Sequence, residues 1–177
     1  GIAFASDHGA RAVTLAHGAL THPKMLDDVI RDAWDQQMLV VSVAGDFNAY
    51  HNFSPGMAHG ALYMRSARAN NGDEYDGAYS YFNSWNCNNV GPRLDLIAPD
   101  NACATGAAAM TTGAVGLLAS AGEQTGTPLS AGEIRQLLTA TADDVWLTED
   151  ERILAKAYPS REGFDTSTGY GRVNVGA

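Results

Sequence analysis

Residues 101–122, NACATGAAAMTTGAVGLLASAG, decide the fold. They read as one long helix made almost wholly of small side chains and entered through Thr105 and Gly106. Such a helix has little side chain to bury, so it suits a place where its backbone lies very close to its neighbours. Immediately upstream, RLDLIAPD (93–100) reads as a strand stopped by Pro99. Downstream, LSAGEIRQLLTATA (129–142) begins a second helix: Ser130 and Glu133 have capping-box spacing, and Ile134, Leu137 and Leu138 form a core-facing stripe.

Further out the same alternation continues. HPKMLDDVIRDAWDQQ (22–37) is an amphipathic helix with Pro23 suited to its first turn and Met25, Leu26, Val29, Ile30, Ala33 and Trp34 at helical spacing. It lies between ARAVTLA (10–16), a short buried strand, and MLVVSVAG (38–45), an apolar strand ending in a Gly turn. A strand, helix and strand so close together predict a right-handed parallel crossover. ALYMRSA (61–67) is a further strand, NNGDEYDG (70–77) a turn-rich connection, and GYGRVNVGA (169–177) a closing strand or turn. Ile2, Ala3 and Ala5 before His8-Gly9 read as a helix end, with His8 interacting with the helix dipole and Gly9 in the left-handed cap conformation. The fold class that follows is α/β: an open doubly wound parallel sheet with helices on both faces.

Composition bounds the function. The chain has 177 residues, 45% of them hydrophobic and 18% charged, which is enough for a real core and matches one domain or a large piece of a bigger one. A net charge of -9 argues against nucleic acid and anionic membrane as partners. No run of eighteen apolar residues suggests a membrane span. The two cysteines, Cys87 and Cys103, lack the companions of a zinc site and are either free thiols or one disulfide. No metal or other cofactor motif is present, and no Gly-rich phosphate loop follows a strand. The opening GIAFASDHGARAVTL starts inside a helical pattern, so the chain reads as the middle of something.

In an open parallel sheet, chemistry gathers at the carboxyl ends of strands and at helix N-termini. Here those places are AGD (44–46) and CATG (103–106). At these residues the sequence resembles the subtilisin-like serine peptidases. CATGAAAMTTGAVGLLA (103–119) is similar to that family's nucleophile helix, Gly-Thr-Ser-Met-Ala-x-Pro, and the strand ending in Ala44-Gly45-Asp46 to its Ala-Gly-Asn. YFNSWNCNNVGPRLDLIAPD (81–100) resembles its Phe-Ser-x-Trp/Tyr-Gly segment and the strand ending in Ala-Pro-Gly. GIAFASDHGARAVTLAHG (1–18), LSAGEIRQLLTATADDV (129–145) and GYGRVNVGA (169–177) complete the order.

The resemblance implies that residues 1–177 are the C-terminal portion of one subtilisin-like peptidase domain, from a secreted or extracytoplasmic setting, with a peptide or protein as partner. It places Thr105 at the nucleophile position and Asp46 at the oxyanion-hole Asn position, with His17, Gly18 and Gly45 bordering the substrate cleft. The departures matter. Thr105 replaces a Ser, Gly106 replaces a Met, and Asp46 cannot donate to an oxyanion unless protonated. Read as a structural residue, Thr105 caps its helix and Asp46 is a turn or hydrogen-bonding residue. No Asp-Ser/Thr-Gly motif is present, and His8, His17 and His59 precede Gly without the following Thr-His, so no base is named. Only DNACA (100–104) stands where the family inserts a long hairpin, which brings Cys103 to the nucleophile turn as a candidate thiol. The implied function is a catalytically degenerate or incomplete peptidase domain. The alternative is an active endopeptidase whose Asp and His come from an upstream segment, the N-terminal half of the same domain, or another chain.

Overall fold

Four parallel strands lie side by side in chain order: β1 (Ala12–Leu15), β2 (Leu39–Val43), β3 (Ala61–Ala67) and β4 (Leu96–Pro99). The computed structural model describes residues 1–47, 49–67, 88–100, 103–146, 148–150 and 159–176. The connection predicted at 70–77 lies outside them. Helices α1 (Ile2–Asp7), α2 (Lys24–Asp35), α3 (Ala104–Gln124) and α4 (Ala131–Ala140) complete the order of elements.

The central strands are apolar runs because both faces are covered. Along β2, Leu39, Val41 and Val43 enter one core with α3 and with Ile134 and Leu138 of α4. Val40, pointing the other way, packs with Ile30 and Ala33 of α2. The period of two thus sorts side chains between a helix layer above and one below. β1 differs from the buried strand expected of its sequence. Its four residues are only half-buried, because among the described residues it is an edge strand and pairs with β2 alone.

Helix α3 runs against all four strands. Its buried positions are Ala104, Ala107, Ala108, Thr111, Ala114, Val115, Ala119 and Gly122, none larger than Val. Small side chains let one helix lie close across the whole sheet. Thr111 and Thr112 return their hydroxyl protons to the carbonyls of Ala107 and Ala108 (2.9 and 2.8 Å), which satisfies them in the apolar layer. Thr112 also accepts a bond from Thr14 on β1 (2.6 Å). At 21 residues α3 is long and apolar enough, by length and composition, to cross a bilayer, although the sequence holds no unbroken run of eighteen apolar residues.

In α2 the buried stripe narrows to Leu26, Val29, Ile30 and Ala33, with Trp34 at its margin. Met25 is 81% exposed, since at ~100° per residue it lies about 90° around the helix from the centre of that stripe. Pro23 is the N-cap of α2 rather than part of its first turn. The capping box of α4 is present, Glu133 N–H donating to Ser130 Oγ and Ser130 N–H to Glu133 Oε2. Leu137 on the same helix is 38% exposed, at the rim of the expected stripe. At the end of α1, His8 Nδ1 bonds to the Phe4 carbonyl (2.8 Å) and Gly9 takes φ +78°.

The C-terminal segment closes the other side of the sheet. Tyr170 N–H donates to Asp95 O, Ile97 N–H to Gly171 O, and Val173 N–H to Ile97 O, so residues 170–173 run along the outer edge of β4. Arg172 then pairs with Asp143, which also receives Asn174.

Candidate functional site

The carboxyl end of β2 and the N-terminus of α3 meet at one place. The chain leaves β2 through Ala44 and turns at Gly45, whose φ of +84° only glycine adopts without strain. That turn carries Asp46 to the mouth of α3, where Asp46 Oδ1 accepts a bond from Ala104 N–H at 3.4 Å. Asp46 therefore acts on the helix as an acceptor, the opposite of what an oxyanion hole needs.

A second carboxylate completes the mouth. Asp100, just past β4, accepts bonds from Gly106 N–H (2.7 Å) and Ala107 N–H (3.2 Å). These are N–H groups that the first turn of a helix leaves without intrahelical partners, and a negative charge there also meets the positive end of the helix dipole. The expectation that Thr105 caps the helix is corrected. Cys103 is the N-cap residue without a side-chain capping bond, Thr105 lies inside the first turn and is exposed, and the carboxylate of Asp100 does the capping. Asp100 also explains Gly106. A Cβ on residue 106 would lie 2.5 Å from the Asp100 carboxyl, so the acid and the missing side chain form a matched pair.

Among the described residues, no hydrogen bond engages the Thr105 hydroxyl, and none joins it to a histidine. His17 lies exposed in the turn after β1. Cys103 is disulfide-bonded and so carries no thiolate; Cys87 lies outside the described residues. No group of His, Cys, Asp and Glu suited to a metal ion is found among the described residues.

The remaining cleft candidates, Gly18 and Gly45, are brought together by Phe53, whose ring abuts both. Beneath it, Tyr63 on β3 accepts a bond from Phe53 N–H (2.8 Å) and donates to Ala44 O (2.9 Å). Burial pushes the Tyr63 phenol up from 10.0 to about 12. A raised acid pKa contributes stability that is fully present below the unfolded value and is lost as pH rises through the folded one. Stability should therefore fall between pH 10 and about 12. In an ultraviolet titration Tyr63 is expected to ionise after the ordinary range, and Tyr63→Phe should remove that late step.

Sequence reasoning missed Asp100, Phe53, Tyr63 and Asn89. Asp100 carried a usable signal, an Asp shortly before a helical run. Asn89 holds the turn after β2: its Oδ1 accepts from Phe47 N–H (3.1 Å) and Ala49 N–H (3.3 Å), and its own N–H donates to Gly45 O. That role depends on a contact across 40 residues or more, which no local pattern announces.

A parallel sheet with helices on both faces and a small-residue helix pointing its N-terminus at the strand ends is the subtilisin-like α/β fold. The structure superposes on Sphericase with a TM-score of 0.73 at 15% identity, covering 98% of this chain and 61% of that one. The prenylagaramide maturation protease PagA gives 0.74 at 16% identity (98% and 62%), and the PatG macrocyclase domain 0.71 at 20% (98% and 52%). In sequence, the chain is 27% identical over 153 residues to a thermophilic serine proteinase of Bacillus sp. (strain AK1), covering 81% of this chain and 35% of that protein. No protein-family model matches. The chain is thus related to the subtilisin-like serine proteases and has their fold, and it spans about a third of that proteinase's length.

Proposed function

We propose that this chain is the C-terminal portion of a subtilisin-like peptidase domain that is catalytically degenerate or incomplete as it stands, with its cleft face kept for binding a peptide or protein. One observation carries the reading: the α3 N-terminus is occupied by the protein's own acids. Ala104, Gly106 and Ala107 give their N–H groups to Asp46 and Asp100. An acyl-transfer site needs donors aimed at a developing oxyanion, and loss of one such donor costs on the order of 10²- to 10³-fold in rate. Carboxylates beside that charge oppose it further. A subtilisin-type site without its base falls by a factor on the order of 10⁶.

A second reading has its own support. The Thr105 side chain is exposed at the helix mouth, open to a base and acid supplied by an upstream segment or another chain. Thr105 would then be the acyl-enzyme nucleophile of an active endopeptidase. A fluorophosphonate probe applied to the complete protein separates the two. No labelling above a Thr105→Ala control is expected, and labelling that the substitution abolishes would overturn the degenerate reading in favour of the active one.

A further inference from the structure

Residues 159–171 fold around one buried carboxylate. Asp165, 5% exposed, accepts bonds from Arg161 N–H (3.0 Å), Ser167 N–H (2.7 Å) and Thr168 N–H (2.8 Å). Its own N–H and carbonyl pair with those of Gly169 (both 3.0 Å), and Ser167 Oγ donates to Pro159 O (2.8 Å). Two bonds fix the loop to the body of the protein. Gly91 N–H donates to Thr166 O (2.9 Å), and the fully buried Arg65 donates through Nη1 to Ser167 O (2.8 Å). A loop tied at this many backbone positions is a preorganised platform.

On this platform lies a pocket of about 320 Å³, lined by Pro159, Ser160, Arg161, Phe164, Asp165 and Thr166. Pro159 and Phe164 give it apolar walls, and Tyr170 backs the Phe164 ring at 5.0 Å. Arg161 gives it a positive charge. Its Nε donates to Phe164 O (3.1 Å), which holds one edge of the guanidinium, while Nη1 and Nη2 make no hydrogen bond or ion pair among the described residues. The Thr166 hydroxyl is likewise uncommitted among them. A planar guanidinium with two donors to spare matches a carboxylate. One arginine answers one negative charge, and a phosphate dianion would set a second charge near the Asp165 carboxyl in the same lining. The volume is at the small end for ligand sites, room for one residue and not for a longer segment.

We propose that this pocket binds the free C-terminal residue of a peptide, its carboxylate on the Arg161 guanidinium and its apolar side chain against Pro159 and Phe164. The inference rests on the reading of the chain as a peptide binder and adds which end of a peptide is held. Capture of a chain-terminal carboxylate needs one fixed cation beside an apolar wall, and the loop supplies both.

The test is a titration of the 177-residue chain with N-acetyl-L-phenylalanine and with its amide, followed by protein NMR. The acid is expected to bind at least about tenfold more tightly than the amide, the size of one charge-assisted pair. Backbone resonances of Phe164, Asp165 and Thr166 should shift. Arg161→Gln, at an exposed side chain, should bring the acid down to the affinity of the amide, and Arg161→Lys, which keeps the charge without the fork, should fall between. Equal affinity of acid and amide for the parent, or a preference for the acid that survives Arg161→Gln, would overturn the proposal. Acetyl-Ala-Ala-Phe with a free carboxylate should bind at least as tightly as the single residue. A much weaker tripeptide would mean that the pocket takes small free acids, which overturns the assignment to a peptide end. Shifts confined to the turns after β1 and β2, without preference for the acid, would overturn the pocket while leaving peptide binding in place. None of these readouts depends on the Thr105 hydroxyl, so the fluorophosphonate result stands apart from them.

Discussion

Gly169→Ala is expected to cost the chain at least about 3 kcal/mol of stability, read as a lowered midpoint in urea or thermal unfolding. Two penalties coincide at this residue. Its φ is +65°, a region that costs a non-glycine residue on the order of 1 kcal/mol or more. Its Cβ would also lie 2.2 Å from the carbonyl oxygen of Asp95 and 2.4 Å from the carbonyl carbon. Those are main-chain atoms at the entrance to β4, so no side-chain rotation relieves the overlap. Moving residue 169 away would break the bond from Tyr170 N–H to Asp95 O and the pair of bonds between Asp165 and Gly169. Gly163→Ala is the control. It has φ +76° with nothing within 4 Å of the added carbon, so it should show the conformational penalty alone. Similar losses in the two variants would mean that the close approach is not what makes residue 169 glycine.

Asp95→Ala is expected to be nearly as damaging, at about 3 kcal/mol. The Asp95 side chain is 7% exposed and spends both oxygens, accepting from Tyr63 N–H (2.8 Å) and from Arg135 Nη2 (2.6 Å). Truncation leaves a buried backbone donor on β3 unmatched and strands a guanidinium. Arg135 is 32% exposed, so water recovers part of that charge and holds the loss toward the lower end of the range for broken buried pairs. Asp95→Asn keeps an acceptor for Tyr63 and should fall between the parent and the alanine variant. An asparagine variant as unstable as the alanine one would assign the effect to the ion pair alone.

The architecture was legible because short apolar runs alternate with segments such as α2 and α4 that carry a helical stripe, and because a helix as starved of side chain as α3 has few places to go. What failed to show locally were features set by position in the finished sheet. β1 reads like β2 in its apolar run, yet it is half-buried because nothing among the described residues pairs with its outer side. Thr105, Asp46, Gly18 and Gly45, the positions the resemblance implies, fall around the α3 mouth and the two turns beside it. The chemistry there was not legible. Asp100 and Gly106 each look unremarkable alone, and only their contact shows that a carboxylate has taken the helix terminus. Phe53 likewise sits in DFNAYHNFSPGMAHG (46–60), a stretch with no periodicity to mark it as buried.

The segment from Tyr170 to Val173 along β4 gives the sheet a direction of growth. With that border sealed by the chain's own C-terminal residues, the described sheet can be extended only through β1. Two copies joined β1 to β1 about a twofold axis would use up both open borders and stop as a closed pair, where a sheet open on both sides could propagate into a fibre. Any further strand would have to compete for that same border of the described sheet.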